Sequence, residues 1–325
     1  MNYSISVVIP NYNGKNLLEE NIPFVISALK TSQISDYEII VSDDNSVDDS
    51  VIFIKNTYPF IKLIENKQNK GFAGNTNIGI LAATKELVFI LNSDVQLTNG
   101  YFLHLLPLFD KHDTFGVMGK IIGLYSDDIQ DGAKYPGYSF GDIKGTGNYI
   151  HCNKTTLDSL FMSGANSLVD RNKMLEIGCF NEIYNPYYWE DVDLGIRARK
   201  LGYKIYYESR SICRHPNATT IKKEPSNKVR IISKRNKMFL HYLHLDGVEF
   251  YYFLFKITLK SISRLITGDK YYLKSYFLFI SSFPELRIIK RKFKNLQTIK
   301  NSDKKMREII KEIKNNITPS EIKRF

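Results

Sequence analysis

The chain has 325 residues, 43% of them hydrophobic and 24% charged, with a formal net charge of +11. That is enough apolar material for a real core, in one large domain with an appendage or in two medium domains. No apolar stretch approaches the roughly 18–20 residues that a membrane span requires, which excludes a spanning helix; Phe250 to Phe255 and Tyr276 to Ile280 are too short.

The first ten residues lack a basic region and their apolar run stops at Pro10, so no signal peptide is expected. The cysteines, Cys152, Cys179 and Cys213, form an odd and sparse set without a CxxC pair. They read as reduced thiols of a cytosolic protein. A zinc grouping of Cys152, Cys213, His151 and His215 lacks the short paired spacing of structural sites. The charge is uneven. From Leu286 onward thirteen Lys or Arg face four acids, so nearly all the excess sits in the last forty residues. A basic tail of this kind implies an anionic partner, lipid or nucleic acid.

In chain order, Ile5 to Ile9 reads as a buried strand and Asn11 to Gly14 as a turn. Leu17 to Leu29 has helical spacing, broken or started at Pro23. Strands follow at Tyr37 to Ser42, Ile61 to Ile64 and Leu87 to Leu91, with helical stretches at Asp48 to Asn56 and Gly74 to Thr84 between them. This alternation predicts βαβ units and a mostly parallel sheet. Gly123 to Asn153 reads as a long irregular region. Helical periodicity returns at Arg171 to Ile177 and Val192 to Leu201. Beyond Gly247 two aromatic-rich segments, Glu249 to Ile266 and Lys270 to Phe283, are separated by Gly268-Asp269, and Pro284 ends the second.

Ligands of open parallel sheets bind beyond the carboxyl ends of the strands. There the sequence places Pro10-Asn11-Tyr12-Asn13-Gly14, Asp43-Asp44-Asn45-Ser46 and Asn92-Ser93-Asp94. Helix capping explains one such cluster easily and three poorly. No G-x-G-x-x-G or G-x-x-x-x-G-K-[ST] follows the first strand, against a dinucleotide oxidoreductase or P-loop enzyme.

These clusters, with Gly71-Phe72-Ala73-Gly74-Asn75-Thr76-Asn77-Ile78-Gly79 and Trp189-Glu190-Asp191-Val192-Asp193-Leu194, occur in one order. Together the chain resembles the family 2 inverting glycosyltransferases of GT-A fold, in particular their rhamnosyltransferase-like branch, over about residues 3 to 240. The resemblance implies an α/β GT-A domain over 1–245, Rossmann-like with helices flanking the sheet. The remainder, 246–325, reads as a basic amphipathic helical extension.

The resemblance also implies residue roles. Pro10 and Tyr12 would line a base pocket, and Asp43 and Asp44 would serve the base or ribose. Asn77 would face the diphosphate or sugar, and Ser93 would also belong to the nucleotide site. Asp94, the last acid of a DxD-like string that begins here with Asn92, would hold a divalent Mn²⁺ or Mg²⁺ together with His215. Arg235 would neutralise phosphate charge. Gly164, in Ser163-Gly164-Ala165, would lie beneath the donor sugar, and Trp189 would stack on sugar. Asp191 would be the general base and Glu190 would orient the base or acceptor; their alternative is capping of the helix that follows.

The chemistry is consistent with those roles. A nucleoside diphosphate leaves only if its developing charge is neutralised, which a hard cation with oxygen ligands does. The acceptor hydroxyl needs a base opposite the leaving group. One base acting in line inverts the anomeric carbon, whereas a hydrolase needs two flanking carboxylates. An acid near the base suits the imide N–H of uracil or thymine, so UDP and dTDP donors both stay open. No Gln-x-x-Arg-Trp string of processive synthases is present, which favours addition of one sugar.

In the tail, Lys256, Lys260 and Arg264 share a helical face, with Phe250, Phe253, Leu254, Ile257 and Ile262 around it. Lys290-Arg291-Lys292-Phe293-Lys294 adds about 1 kcal/mol per basic residue toward anionic lipid. The expectation is a peripheral protein of the inner membrane face, acting on a glycan or polyprenyl-lipid-linked acceptor, without nucleic acid as a partner. Against it stands docking of both aromatic segments on the catalytic domain. Rival readings are an inactive GT-A sugar- or protein-binding module, a basic-tail nucleic-acid binder, and a nucleotidyltransferase, whose Lys-containing phosphate loop Asn11 to Lys15 supplies poorly.

Overall fold

The computed structural model describes residues 3–144, 147–216 and 225–325. The first half alternates as read: β1 (Ile5–Asn11), α1 (Lys15–Thr31), β2 (Tyr37–Asp43), α2 (Ser50–Thr57), β3 (Lys62–Glu65), α3 (Gly71–Ala82) and β4 (Leu87–Leu91). Then come β5 (Gln96–Leu97), β6 (Thr114–Gly123), β7 (Ile129–Asp131), β8 (Ala133–Lys134), β9 (Tyr138–Ser139), β10 (Asp142–Ile143), β11 (Asn148–His151), β12 (Thr156–Asp158) and β13 (Asn166–Asp170). The remainder is α4 (Arg171–Glu176), α5 (Glu190–Lys200), β14 (Lys204–His215), α6 (Ser226–His244), α7 (Gly247–Ile266), α8 (Lys270–Ser281), α9 (Phe283–Ile299), α10 (Met306–Asn315) and β15 (Ile322–Arg324).

The central sheet runs β12-β14-β6-β13-β4-β1-β2-β3. β1 pairs in parallel with β2 and β4, β2 with β3, and β6 with β14. β13 inserts antiparallel between β4 and β6. The strand period sorts the core: Val8, Ile40, Val88 and Ile90 face one side, while Val7, Ile9, Ile39, Val41 and Phe89 face the other. α1 covers the second face with Leu18, Ile22, Val25 and Leu29, at helical spacing. α3 covers the first. It sits so close that a Cβ on Gly79 would come 2.4 Å from Val8 Cγ1, so only glycine fits there.

Several elements differ from the sequence reading. Pro23 lies inside α1 without ending it, because it is on the exposed face, where water can serve the carbonyl it leaves unbonded. α3 begins at Gly71, three residues ahead of the helical stretch read from Gly74. The stretch from 123 to 153 is not structureless. It holds short strands, and β8, β11 and β15 form a small antiparallel sheet of their own. Pro284 ends α8 but also opens α9, at a position where its missing N–H has no helical partner to lose. The C-terminal helices dock on the rest of the molecule: Phe253, Ile257, Phe279, Leu286 and Ile313 join the cluster that contains Val8 and Tyr207. No described helix is long and apolar enough to cross a membrane.

Candidate functional site

At the carboxyl ends of β1 and β2 the loops are stitched by side chains. Asn11 Nδ2 donates to Asp43 Oδ1 at 2.8 Å, and Asp43 also accepts from Ser46 N and Oγ. Asn13 takes a bond from Val47 N and gives one to Ser46 Oγ. Asp44 is buried. Its Oδ1 accepts from Asn66 Nδ2 and Lys70 N, and its Oδ2 from Gly71 N at 3.0 Å. A carboxylate has about four acceptor positions, so Oδ2 retains capacity for one more donor. Pro10 sits at the end of β1, half-buried, and the Tyr12 ring beyond it is 54% exposed, with a face open for stacking.

The turn after β4 is fixed from both sides. Asn92 N donates to Ala165 O, and Asn21 Nδ2 of α1 donates to Ser93 O at 2.8 Å. This presents Asp94 3.3 Å from His215 Nε2 at the end of β14. The His215 carbonyl is held by Leu124 N and by Gln130 Nε2, each at 3.1 Å. Residues 121 positions apart in sequence thus meet at one point. A carboxylate and an imidazole are a sparse donor set, and no group of three or more metal-ligating side chains gathers among the described residues. The pair by itself could hold a divalent cation only if further ligands came from outside these two side chains. The zinc grouping is not assembled: Cys213 is buried, Cys152 is exposed, and His151 instead pairs with Glu321.

Two residues expected at the phosphates are directed elsewhere. Asn77 is buried and exchanges bonds with the backbone of Phe180, accepting from its N–H at 3.0 Å and donating to its carbonyl at 2.9 Å. Arg235 donates to Asn185 O at 2.6 Å and to Asn236 Oδ1, with its guanidinium over the Phe239 ring. Both brace the segment leading to the acidic string. Gly164 lies against Phe72, whose ring would be 3.2 Å from an added Cβ.

That segment is held in an unusual backbone. Tyr188 and Trp189 have φ of 75° and 78°, a left-handed conformation costly for bulky residues. Asn236 secures it by donating to the carbonyls of Tyr184, Tyr187 and Tyr188, at 2.6, 2.9 and 3.0 Å. Trp189 Nε1 reaches Ser233 Oγ and Lys237 stands over the ring. Trp189 is the cap position of α5 and its own side chain makes no capping bond; Asp191 Oδ1 instead accepts from Val192 N in the first turn at 2.8 Å, so part of its setting is that of a helix-terminal acid. Burial raises both carboxyls above the usual range, and Asp191 raises Glu190 further. Glu190 Oε2 is buried without a partner. The nearby Lys134 ammonium favours the Asp191 carboxylate and Asp131 opposes it. Asp131 follows Gln130, so β7 adjoins both places: Gln130 bonds the His215 carbonyl and Asp131 acts on Asp191.

The sequence reading did not single out the hub behind the site. Asp193 is fully buried and accepts from Arg197 Nε at 2.8 Å, His244 Nε2 at 2.8 Å and Asn181 Nδ2 at 2.7 Å. The i,i+4 spacing of Asp193 and Arg197 was the available signal. His244 and His241, without a visible pattern in sequence, are buried hydrogen-bonding residues; His241 contacts Asp142 and Ile143 N. Lys134 and Asp131 came from the stretch that looked irregular.

The chain is similar to several known glycosyltransferases. The Campylobacter jejuni GalNAc(5)-diNAcBac-PP-undecaprenol beta-1,3-glucosyltransferase is 37% identical over 100 residues, 30% of this chain and 31% of that protein. The amylovoran biosynthesis glycosyltransferase AmsB of Erwinia amylovora is 28% identical over 211 residues, 62% of this chain and 66% of its own. The match to the minor teichoic acid biosynthesis protein GgaB of Bacillus subtilis spans 12% of that protein. Among solved structures, GalNAc-T7 with UDP, GalNAc and Mn²⁺ superposes with a TM-score of 0.68 at 17% identity, over 98% of this chain and 58% of that one. The model of Glycosyl transferase family 2 matches residues 6–177, more than half of the sequence, and the chain belongs to that family.

Proposed function

We propose that this chain transfers one sugar, with inversion, from a UDP- or dTDP-sugar to a hydroxyl of a saccharide or lipid-linked glycan acceptor in surface polysaccharide assembly. The observation that carries the reading is the presence of two dissimilar stations that β7 adjoins. One is Asp94 with His215; the other is Glu190-Asp191, with carboxyls raised by burial. Relatives named for undecaprenol-linked, teichoic and amylovoran glycans support the acceptor class.

In this reading Tyr12 stacks on the pyrimidine with Pro10 beneath, and the free position on Asp44 Oδ2 takes the imide N–H. Asp43 holds the loop that forms the pocket, beside the Ser93 turn. Asp94 and His215 would hold Mn²⁺ or Mg²⁺, which when bound neutralises the charge that develops on the diphosphate. GalNAc-T7 carries Mn²⁺ with UDP, in keeping with such a cation. Asp191 removes the proton from the acceptor hydroxyl. Its enclosure keeps water from solvating the carboxylate and so strengthens it as a base. Glu190 orients the acceptor, Trp189 offers its ring to the sugar, and Gly164 leaves room beneath the donor. We place the enzyme on the inner face of the membrane, as a peripheral protein, with the boundary between catalytic domain and extension near residue 245.

The test is a melting panel of UDP, dTDP, GDP, CMP and ADP, each with and without Mn²⁺. Ligands that bind only the native state raise the midpoint. A Mn²⁺-dependent rise with UDP or dTDP, lost in His215→Ala, is the expected result. No rise with any nucleotide would overturn the reading in favour of an inactive module.

A further inference from the structure

α7 buries one narrow stripe, Phe253, Ile257 and Ser261, against the body of the molecule. A surface helix ordinarily turns polar residues outward on the opposite side. Here that side carries Tyr251, Phe255, Leu259, Ile262 and Ile266, spaced by four, four, three and four residues and therefore aligned. Phe255 is 62% exposed, Ile262 54% and Ile266 82%. The face read from sequence alone as lipid-facing is thus partly wrong: Phe253 and Ile257 point inward.

Lys256, Lys260 and Arg264 run along one edge of the exposed stripe, and Lys270 and Lys274 continue on α8 beside Phe277. Over residues 247–281 the acids are Glu249 and Asp269. Each is already paired, Glu249 with Arg307 at 2.7 Å and Asp269 with Arg230 at 3.0 Å. An apolar stripe with a net cationic border, even with Asp142 near Lys256 and Asp269 near Arg264, matches an interface with hydrocarbon below and anionic headgroups beside it. A second copy of the chain packed through the same face would bring from these helices only Glu249 and Asp269, which are already paired.

We propose that the outer face of α7 docks on an anionic lipid surface, with Tyr251, Phe255, Leu259, Ile262 and Ile266 entering the interface and Lys256, Lys260 and Arg264 reaching headgroup phosphates. This deepens the lipid-linked acceptor reading and rests on it only for purpose. The stripe defines how the molecule lies, and the attachment is reversible and without a span.

The experiment is co-sedimentation of the full chain with phosphatidylcholine vesicles, with and without about one third phosphatidylglycerol. The expected result is binding to the anionic vesicles alone, weakened roughly ten-fold or more in the Phe255→Glu, Ile262→Glu double variant. Both side chains are exposed, so melting and the nucleotide-induced shift should match the wild type. Three outcomes overturn the proposal: a wild-type chain that stays in the supernatant, a double variant that binds as well as wild type, or a wild-type dimer that the variant converts to monomer. The nucleotide shift keeps the two questions apart. Its retention without vesicle binding rejects the docking face, and its loss rejects the transferase reading.

Discussion

His244 offers a quantitative test of the buried hub. Its Nε2 lies 2.8 Å from Asp193 Oδ1, and its Nδ1 is buried without a partner. Burial pushes the imidazole down to about 4, with the Asp193 carboxylate opposing and the Lys200 and Arg197 cations adding to the depression. The neutral ring therefore donates from Nε2 in the folded state. A folded value below the unfolded 6.5 means that the unfolded chain binds the proton first. Stability from this group is full above about pH 6.5 and falls as pH drops toward 4. A displacement of that size corresponds to a loss on the order of 3 kcal/mol. His244→Gln keeps an N–H for Asp193 and removes the titration. Urea unfolding of both proteins between about pH 7 and pH 4 should show the wild type losing on the order of 3 kcal/mol more than the variant. Asp193, depressed to about 2, gives its own loss only below that window. The raised Glu190 and Asp191 act with the opposite sign, losing stability as pH rises, but they are present in both proteins and cancel in the difference. Parallel stability curves for the two proteins would refute the argument.

Asp191→Asn should retain nucleotide-induced melting while turnover falls by about 10²–10⁴-fold; near-normal turnover would remove Asp191 from the base role. Because burial raises its carboxyl, the acidic limb of the wild-type rate profile should lie above the ordinary carboxylate range, and Lys134→Met should move it higher still. Asn236→Ala leaves three backbone carbonyls without their donor, so unfolding experiments should record a cost of about 1–3 kcal/mol. Gly195→Ala puts a Cβ 2.6 Å from the Phe161 Cα, where backbone must move, so a loss of at least about 1–3 kcal/mol is expected in the same assay.

The strands of the first half were legible because Val7 to Ile9, Ile39 to Val41 and Leu87 to Leu91 are apolar runs buried on both faces of a sheet. The clusters at their ends were legible because ligand sites of such sheets have a fixed place. β6 and β14 escaped notice, although they form the far half of the sheet, because Lys120, Arg210 and Arg214 interrupt their apolar pattern. The partners of Asn77 and Arg235 were not legible for a different reason. A side chain near a site in sequence has two directions to point, and only the packing of Phe180 and Asn185 chose between them. Asn236 makes the same point in reverse, since nothing local marks an asparagine that reaches three carbonyls about fifty residues away.

The small sheet of β8, β11 and β15 joins the Lys134 wall of the site to residues 322–324, with His151 and Glu321 separated by 170 positions. On a ribosome, nearly everything else near Asp191 can assemble while the β11 edge still waits for its partner. For that interval the nascent chain carries an open strand edge, the feature that most readily recruits a stranger. Trimming this chain at residue 245, to isolate a catalytic unit, would make the interval permanent. Poor behaviour of such a fragment would then report an unpaired edge rather than an absent activity.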